Sequence, residues 1–210
     1  MKKDDVIGFF TALEKENPEP VGELNYTNPY TLLVAVTLSA QATDVGVNKA
    51  TKKLFQIVKT PQDMLKLGEN GLKEHIKTIG LFNTKAKNVI KQAQMLVDEF
   101  DGNIPQDRSD LVKLAGVGRK TANVVLNIAF GKPTIAVDTH IFRVSNRTGL
   151  APGKTVNKVE EKLEKKIPDQ FMLHAHHWLI LLGRYICKAR KPECSKCPVI
   201  AYCKYKKKEL

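Results

Sequence analysis

All four cysteines of the 210-residue chain fall near its end, at Cys187, Cys194, Cys197 and Cys203, and none precedes them. A disulfide framework would spread its cysteines to staple distant loops. Four thiols gathered into one short tract instead read as a metal centre, so the last segment is expected to fold around metal rather than around an apolar core. Two kinds of centre fit four thiolates. Structural zinc uses C-x2-C pairs such as Cys194 and Cys197, but zinc ribbons bring two such pairs from distant segments. In a [4Fe–4S] cube each cysteine holds a different iron, which suits the wider C-x6-C-x2-C-x5-C wrap better.

The rest of the chain reads as helix, and the expected fold class is all-α. Residues 2–16 carry Val6, Phe9, Phe10 and Leu13 at helical spacing and stop at Pro18 and Pro20. Asn28-Pro29 opens a very apolar helix from Tyr30 to Ser39. Asp44 is expected to cap a third helix reaching Val58, Thr60-Pro61 to open a short fourth, and Glu69 to Ile79 to form a fifth. Asn83 is the expected cap of a long sixth helix ending at Asp101-Gly102. Two helices, Arg108–Leu114 and Arg119–Phe130, flank the turn Gly116-Val117-Gly118. Further helices follow, broken at residues 149–153, at Pro168 and at Gly183. No stretch of 18 apolar residues exists and the first ten residues do not form a secretory signal, so a cytoplasmic protein without a membrane span is expected.

Charge narrows the function classes. The chain has 34 Lys and Arg against 22 Asp and Glu, a net +12, which points to a polyanionic partner or to plain solvated lysine surface. From Arg184 to Lys208 nine basic residues meet one acid, Glu193, so much of the excess gathers around the cysteine tract.

The glycine turn is the first site that could carry chemistry. Gly116 and Gly118 let the chain reverse within a few residues and leave the next helix's N-terminal amides open to an anion such as phosphate. A bare G-x-G is also a simple corner between helices. Arg119 and Lys120 stand where the helix field favours acids, so they either serve a bound anion or, for Lys120, present a nucleophilic amine. Asp138 follows an apolar stretch and precedes Thr139-His140; alone it reads as a helix N-cap, and beside a lysine it could take a proton or stabilise a cation. His174, His176 and His177 read as structural or surface histidines, since the four thiols already complete one site.

With these residues in view, Gly116-Val117-Gly118-Arg119-Lys120-Thr121-Ala122 followed by Val137-Asp138-Thr139-His140 resembles the signature of the helix-hairpin-helix DNA glycosylases. Together with the cysteine spacing, and with Leu38–Asp44 and Ile79–Phe82, nearly the whole chain is similar to the endonuclease III family. One departure is Ala115, where the hairpin usually carries proline.

The resemblance implies a base-excision-repair glycosylase that removes oxidised pyrimidines from damaged duplex DNA and cuts the strand by β-elimination. Lys120 matches the family's Schiff-base lysine and Asp138 its assisting carboxylate. Gln41 matches the side chain that fills the hole left by the base, and Leu81 the wedge on the opposite strand; Leu81 alone would read as core. Gly116, Val117, Gly118, Arg119, His140 and Lys191 are the remaining expected DNA contacts, and the four cysteines hold a [4Fe–4S] cluster. The implied architecture is two helical domains with a DNA cleft between them. Residues 22–133 form a six-helix barrel that includes the hairpin at about 108–130. Residues 1–21 join 134–210 in a cluster domain with its loop at 187–203. The protein is expected to be a cytoplasmic monomer without an obligatory protein partner, associated with the nucleoid when bound to DNA. The rivals are a monofunctional mismatch glycosylase, which lacks the lysine, and a non-catalytic iron–sulfur DNA-binding protein, which leaves Lys120 and Asp138 without a role.

Overall fold

The computed structural model describes residues 1–208, and among these no strand forms. Ten α-helices run in chain order: α1 (Lys3–Glu16), α2 (Pro29–Leu38), α3 (Asp44–Ile57), α4 (Pro61–Ile76), α5 (Phe82–Phe100), α6 (Arg108–Leu111), α7 (Arg119–Phe130), α8 (Thr139–Thr148), α9 (Val156–Lys166) and α10 (Asp169–Leu181). The chain divides into two compact units, Glu23–Gly131 and Met1–Gly22 with Lys132–Leu210.

The first of these units is built around α2, in which every residue from Tyr30 to Leu38 is buried. Such a helix has no polar face, so neighbours must cover it all round. Its start is well specified. Asn28 Oδ1 accepts the Thr31 amide at 2.9 Å, Thr31 Oγ1 reaches back to the Asn28 amide, and Pro29 occupies the first turn. Leu33, Val34 and Leu38 of α2 join Val47 and Leu54 of α3, Val89 and Leu96 of α5, and Val125 of α7 in one core. Buried Gln92 of α5 ties the layers, donating to Thr37 Oγ1 at 3.2 Å and to the Ala115 carbonyl at 3.3 Å.

In the other unit α1 packs with the helices at the far end of the chain. Phe10 stacks on Phe171 at 5.7 Å between ring centroids, Phe9 sits edge-on to Phe10 at 5.4 Å, and the Trp178 indole donates to the Asn17 carbonyl at 2.7 Å. Four fully or nearly buried aromatic side chains in one cluster give this small unit much of its apolar burial.

Several helix ends differ from the sequence reading. Thr43 rather than Asp44 caps α3, because its hydroxyl accepts the Gly46 amide at 3.1 Å and Asp44 becomes the first helical residue. Leu81, not Asn83, stands at the N-cap of α5. The expected fourth and fifth helices are continuous in α4 except at Gly68, whose φ of 72° breaks the hydrogen-bond ladder. The helix before the glycine turn stops at Leu111 rather than Leu114, and residues 112–118 form turns. Residues 134–137 are buried but form no strand among the described residues.

Candidate nucleic-acid and iron–sulfur site

The glycine turn sits between α6 and α7. The Val117 amide donates to the Leu114 carbonyl at 3.1 Å and Gly116 has φ 75°, the geometry of a type II turn with Ala115 at its second position. Gly116 is also crowded: a Cβ there would lie 3.1 Å from Asn88 of α5. Gly118 has open space instead, nothing lying within 4 Å of a built Cβ. It is the N-cap of α7, and no side chain caps that end. The first amides of α7 therefore face outward from a bare backbone turn, with the helix dipole behind them. Val117 is buried and anchors the turn, while Arg119 and Lys120 are exposed on the first turn of α7. An exposed amine beside an open anion site suits attack on a sugar whose phosphates the amides hold.

Two more expected contacts lie in the same unit and share an unusual backbone. Among the described residues only four non-glycine residues have positive φ: Gln41 at 55°, Leu81 at 60°, Asp101 at 51° and Lys191 at 49°. Left-handed backbone costs an ordinary residue on the order of 1 kcal/mol, and such strain concentrates at ligand sites. Gln41 is exposed after α2, and Leu81 remains 60% exposed at the corner before α5. An apolar side chain held out to solvent on a strained turn is no core residue, so the core reading of Leu81 does not hold.

The other unit holds Asp138, His140, Lys191 and the cysteines. Asp138 is half-buried at the N-cap of α8. Its Oδ1 accepts the Ile141 amide at 2.8 Å and its Oδ2 pairs with His140 Nδ1 at 2.9 Å. The cap role and the chemical role are thus compatible, since two bonds fix the carboxylate in one orientation.

All four cysteines line one small, partly open pocket, shared with Thr148, Leu182, Ile186, Pro192, Ile200 and Tyr205. Among the described residues no three His, Cys, Asp or Glu side chains are placed to grip one metal ion. Four thiols around one cavity that do not converge on a point suit a cube whose four irons each take one thiolate, and not a single zinc. Burial pushes the Cys197 thiol up to about 11 and raises Cys203 as well, with the neighbouring cysteines adding to both. Iron bound there would reverse that preference and hold the sulfurs as thiolates.

Two arginines four residues apart on α8 reach into this loop. Arg143 donates to the Cys187 carbonyl at 3.0 Å and to the Gly183 carbonyl at 2.6 Å. Arg147 donates to Cys187 Sγ at 3.6 Å and to the Lys188 and Ala189 carbonyls at 2.7 and 3.2 Å, and it lies 4.9 Å from the Tyr205 ring centroid. Sequence reasoning missed both. The available signal was their like charge at i,i+4, a spacing that repels unless each has its own acceptors.

The loop's cations also separate. Lys188 and Lys196 both bond Glu193, which holds its carboxyl below the usual range. Lys191 and Arg190 stay exposed, Lys191 on its left-handed backbone.

Residues 34–169 match the HhH-GPD superfamily of base excision DNA repair proteins, and residues 187–203 match the iron-sulfur binding domain of endonuclease III. The chain is 60% identical over 208 residues to endonuclease III of Haemophilus influenzae and 58% identical over 208 residues to that of Escherichia coli, covering 99% of both chains in each case. A trapped endonuclease III–DNA covalent intermediate superposes with a TM-score of 0.89 at 45% identity, covering 97% of this chain and 96% of that one. A thermostable thymine-DNA glycosylase is more distant, with a TM-score of 0.84 and 28% identity over 97% of this chain and 95% of that one.

Proposed function

The chain belongs to the endonuclease III family of HhH-GPD base excision DNA repair proteins, and from that premise we propose that Lys120 is its nucleophile and Asp138 the carboxylate that assists it. It is a DNA-binding, bifunctional glycosylase and abasic-site lyase that carries a [4Fe–4S] cluster. The finer reading is that it acts on oxidised pyrimidines in damaged duplex DNA. Such bases stack poorly and cost least to turn out of the helix.

The neutral Lys120 amine attacks C1′ of the sugar, the C1′–N bond breaks, and the base leaves with its electron pair and takes up a proton. The Asp138 carboxylate stabilises the cationic sugar as the C1′–N bond breaks, then accepts the proton that Lys120 gives up and passes it to O4′ as the ring opens. Ring opening yields a Schiff base between Lys120 and C1′. Removal of a C2′ proton then expels the 3′ phosphate, and water releases the lysine. Gln41 fills the place of the departed base, and Leu81 parts the opposite strand. The open amides at Gly118, with Gly116 and Val117 shaping the turn and Arg119 beside them, take the backbone phosphates; His140 and Lys191 add contacts on their own unit. Cys187, Cys194, Cys197 and Cys203 hold the cluster. When bound, it supplies four iron–thiolate bonds that staple the 187–203 loop.

The observation that carries the reading is an exposed amine at the uncapped start of α7, on a chain similar to an enzyme trapped covalently on DNA. The two-domain division is proposed at 22–133 and at 1–21 with 134–210. Every residue the chemistry needs lies on one chain, which supports action as a monomer without a protein partner. Among the described residues no helix is long and apolar enough to cross a membrane. Thiols reserved for a cluster suit the reducing cytoplasm, with the protein on the nucleoid when DNA-bound.

Borohydride trapping on abasic-site or thymine-glycol duplex DNA tests the assignment. Wild type is expected to give a covalent adduct that Lys120→Ala abolishes while DNA binding survives. Full trapping by Lys120→Ala, or cleavage by wild type without an adduct, would refute it and favour a monofunctional or non-catalytic protein.

A further inference from the structure

The segment that delivers Asp138 has no regular structure, yet Thr134, Ile135, Ala136 and Val137 are all buried. Buried irregular backbone must find side-chain or local partners for its amides. The Ala136 amide finds His176 of α10, donating to Nδ1 at 3.3 Å in a fully buried contact. His176 is only 2% exposed.

A backbone amide only donates, so Nδ1 accepts and the proton of the neutral ring sits on Nε2. The bond lies two residues before Asp138. On the other side, the Ile141 amide and His140 hold the carboxylate itself. The chain is therefore gripped immediately before and immediately after the carboxylate.

We propose that His176 is a positioning residue for the reaction, whose neutral Nδ1 fixes the 134–137 segment and through it the setting of Asp138. This rests on the reading of Asp138 as the assisting carboxylate. Its signature is a loss in the chemical step rather than in DNA binding, because His176 is buried and fixes a group that acts after the DNA is bound.

The test uses cluster-loaded protein, with loading checked by visible absorbance, and measures kcat and KM for cleavage of thymine-glycol duplex. Binding to duplex carrying a tetrahydrofuran abasic analogue is measured in parallel. His176→Leu keeps the bulk and removes the acceptor. A displacement near 1 Å costs on the order of 10²-fold, so a partial shift is expected to lower kcat by at least about tenfold. KM and analogue binding should stay within about twofold of wild type. His176→Asn puts an acceptor oxygen one bond from Cγ, where Nδ1 was, and should recover most of the rate. His176→Gln carries its acceptor one bond too far and should not.

A His176→Leu kcat within about twofold of wild type overturns the inference, as does a His176→Asn protein as slow as His176→Leu. If the leucine variant does not fold, the asparagine and glutamine variants decide. Asparagine faster than glutamine supports the inference, and equal rates overturn it. Asp138→Asn is run alongside. An active Asp138→Asn enzyme removes the premise and the inference together, whereas an inactive one beside a normal His176→Leu removes the inference alone.

Discussion

Gly183, just before the cluster loop, packs tightly against the helix bearing Asp138, and replacing it with alanine should cost both stability and rate. Gly183 lies in the wide π-helical turn Leu182–Ile186 that follows α10. A Cβ there would stand 2.8 Å from His140 Cβ, 3.1 Å from Val144 Cγ2 and 3.2 Å from the His140 carbonyl carbon. The obstacles are the root of a side chain and the α8 backbone, so no rotamer change relieves them. α8 has to back away by about 0.6 Å to reach an ordinary carbon–carbon contact. Overpacking of a buried site costs about 1–3 kcal/mol, or about 6 °C in Tm at mid-range for a chain of this size. Because His140 and Asp138 ride at the start of α8, a shift of about 0.6 Å should also lower kcat about tenfold. Gly8→Ala is the control. Its Cβ would lie nearer an obstacle, 2.4 Å from Cζ of Tyr202, but that atom is the far end of a half-buried ring that can swing aside. Gly8 is inside α1, where alanine also gains about 1 kcal/mol of helix propensity. Gly8→Ala should therefore change Tm by less than about 3 °C and leave kcat alone. Thermal unfolding and cleavage kinetics on cluster-loaded proteins distinguish the two. A Gly8→Ala protein less stable than Gly183→Ala, or a Gly183→Ala enzyme with wild-type kcat, would refute the reasoning.

Two further outcomes are expected. Ala115 occupies the second position of a type II turn, where proline is pre-set for the required φ, so Ala115→Pro should stabilise by about 0.4–1 kcal/mol. Unchanged or lower Tm would mean the turn is not of that type. Cys197 and Cys203 have thiols raised by burial in the metal-free chain, and cluster assembly must strip their protons. Reconstitution from iron and sulfide should therefore release protons and become more favourable from pH 7 toward pH 9, read as visible absorbance against pH; a flat profile would contradict it.

How much was legible in advance depended on whether a residue's role is local. The helix openings at Asn28-Pro29 and Thr60-Pro61, the apolar run of α2 and the cysteine spacing are all encoded within a few consecutive positions, and they pointed correctly to helix and to an iron–sulfur tract. Boundaries failed where two neighbours compete for one job, as Thr43 and Asp44 do. They also failed where backbone geometry overrides the better capping residue, as at Leu81. Leu81 shows the limit most clearly. Its type says core, and only its left-handed backbone and exposure show it held outward.

The sequence by itself determined the helical class, the membership of the repair family and the iron–sulfur tract at 187–203, because periodicity, turn residues and cysteine spacing are short-range properties of the chain. Tertiary structure decided what depends on partners forty or more positions apart or at the opposite end of the chain. His176 meets the Ala136 amide, Arg143 and Arg147 hold the Cys187 loop, and α1 closes the core of the last helices. Hydrogen bonds and close packing across such separations leave no periodic trace along the chain, since any donor of the right reach could have served until the fold chose one.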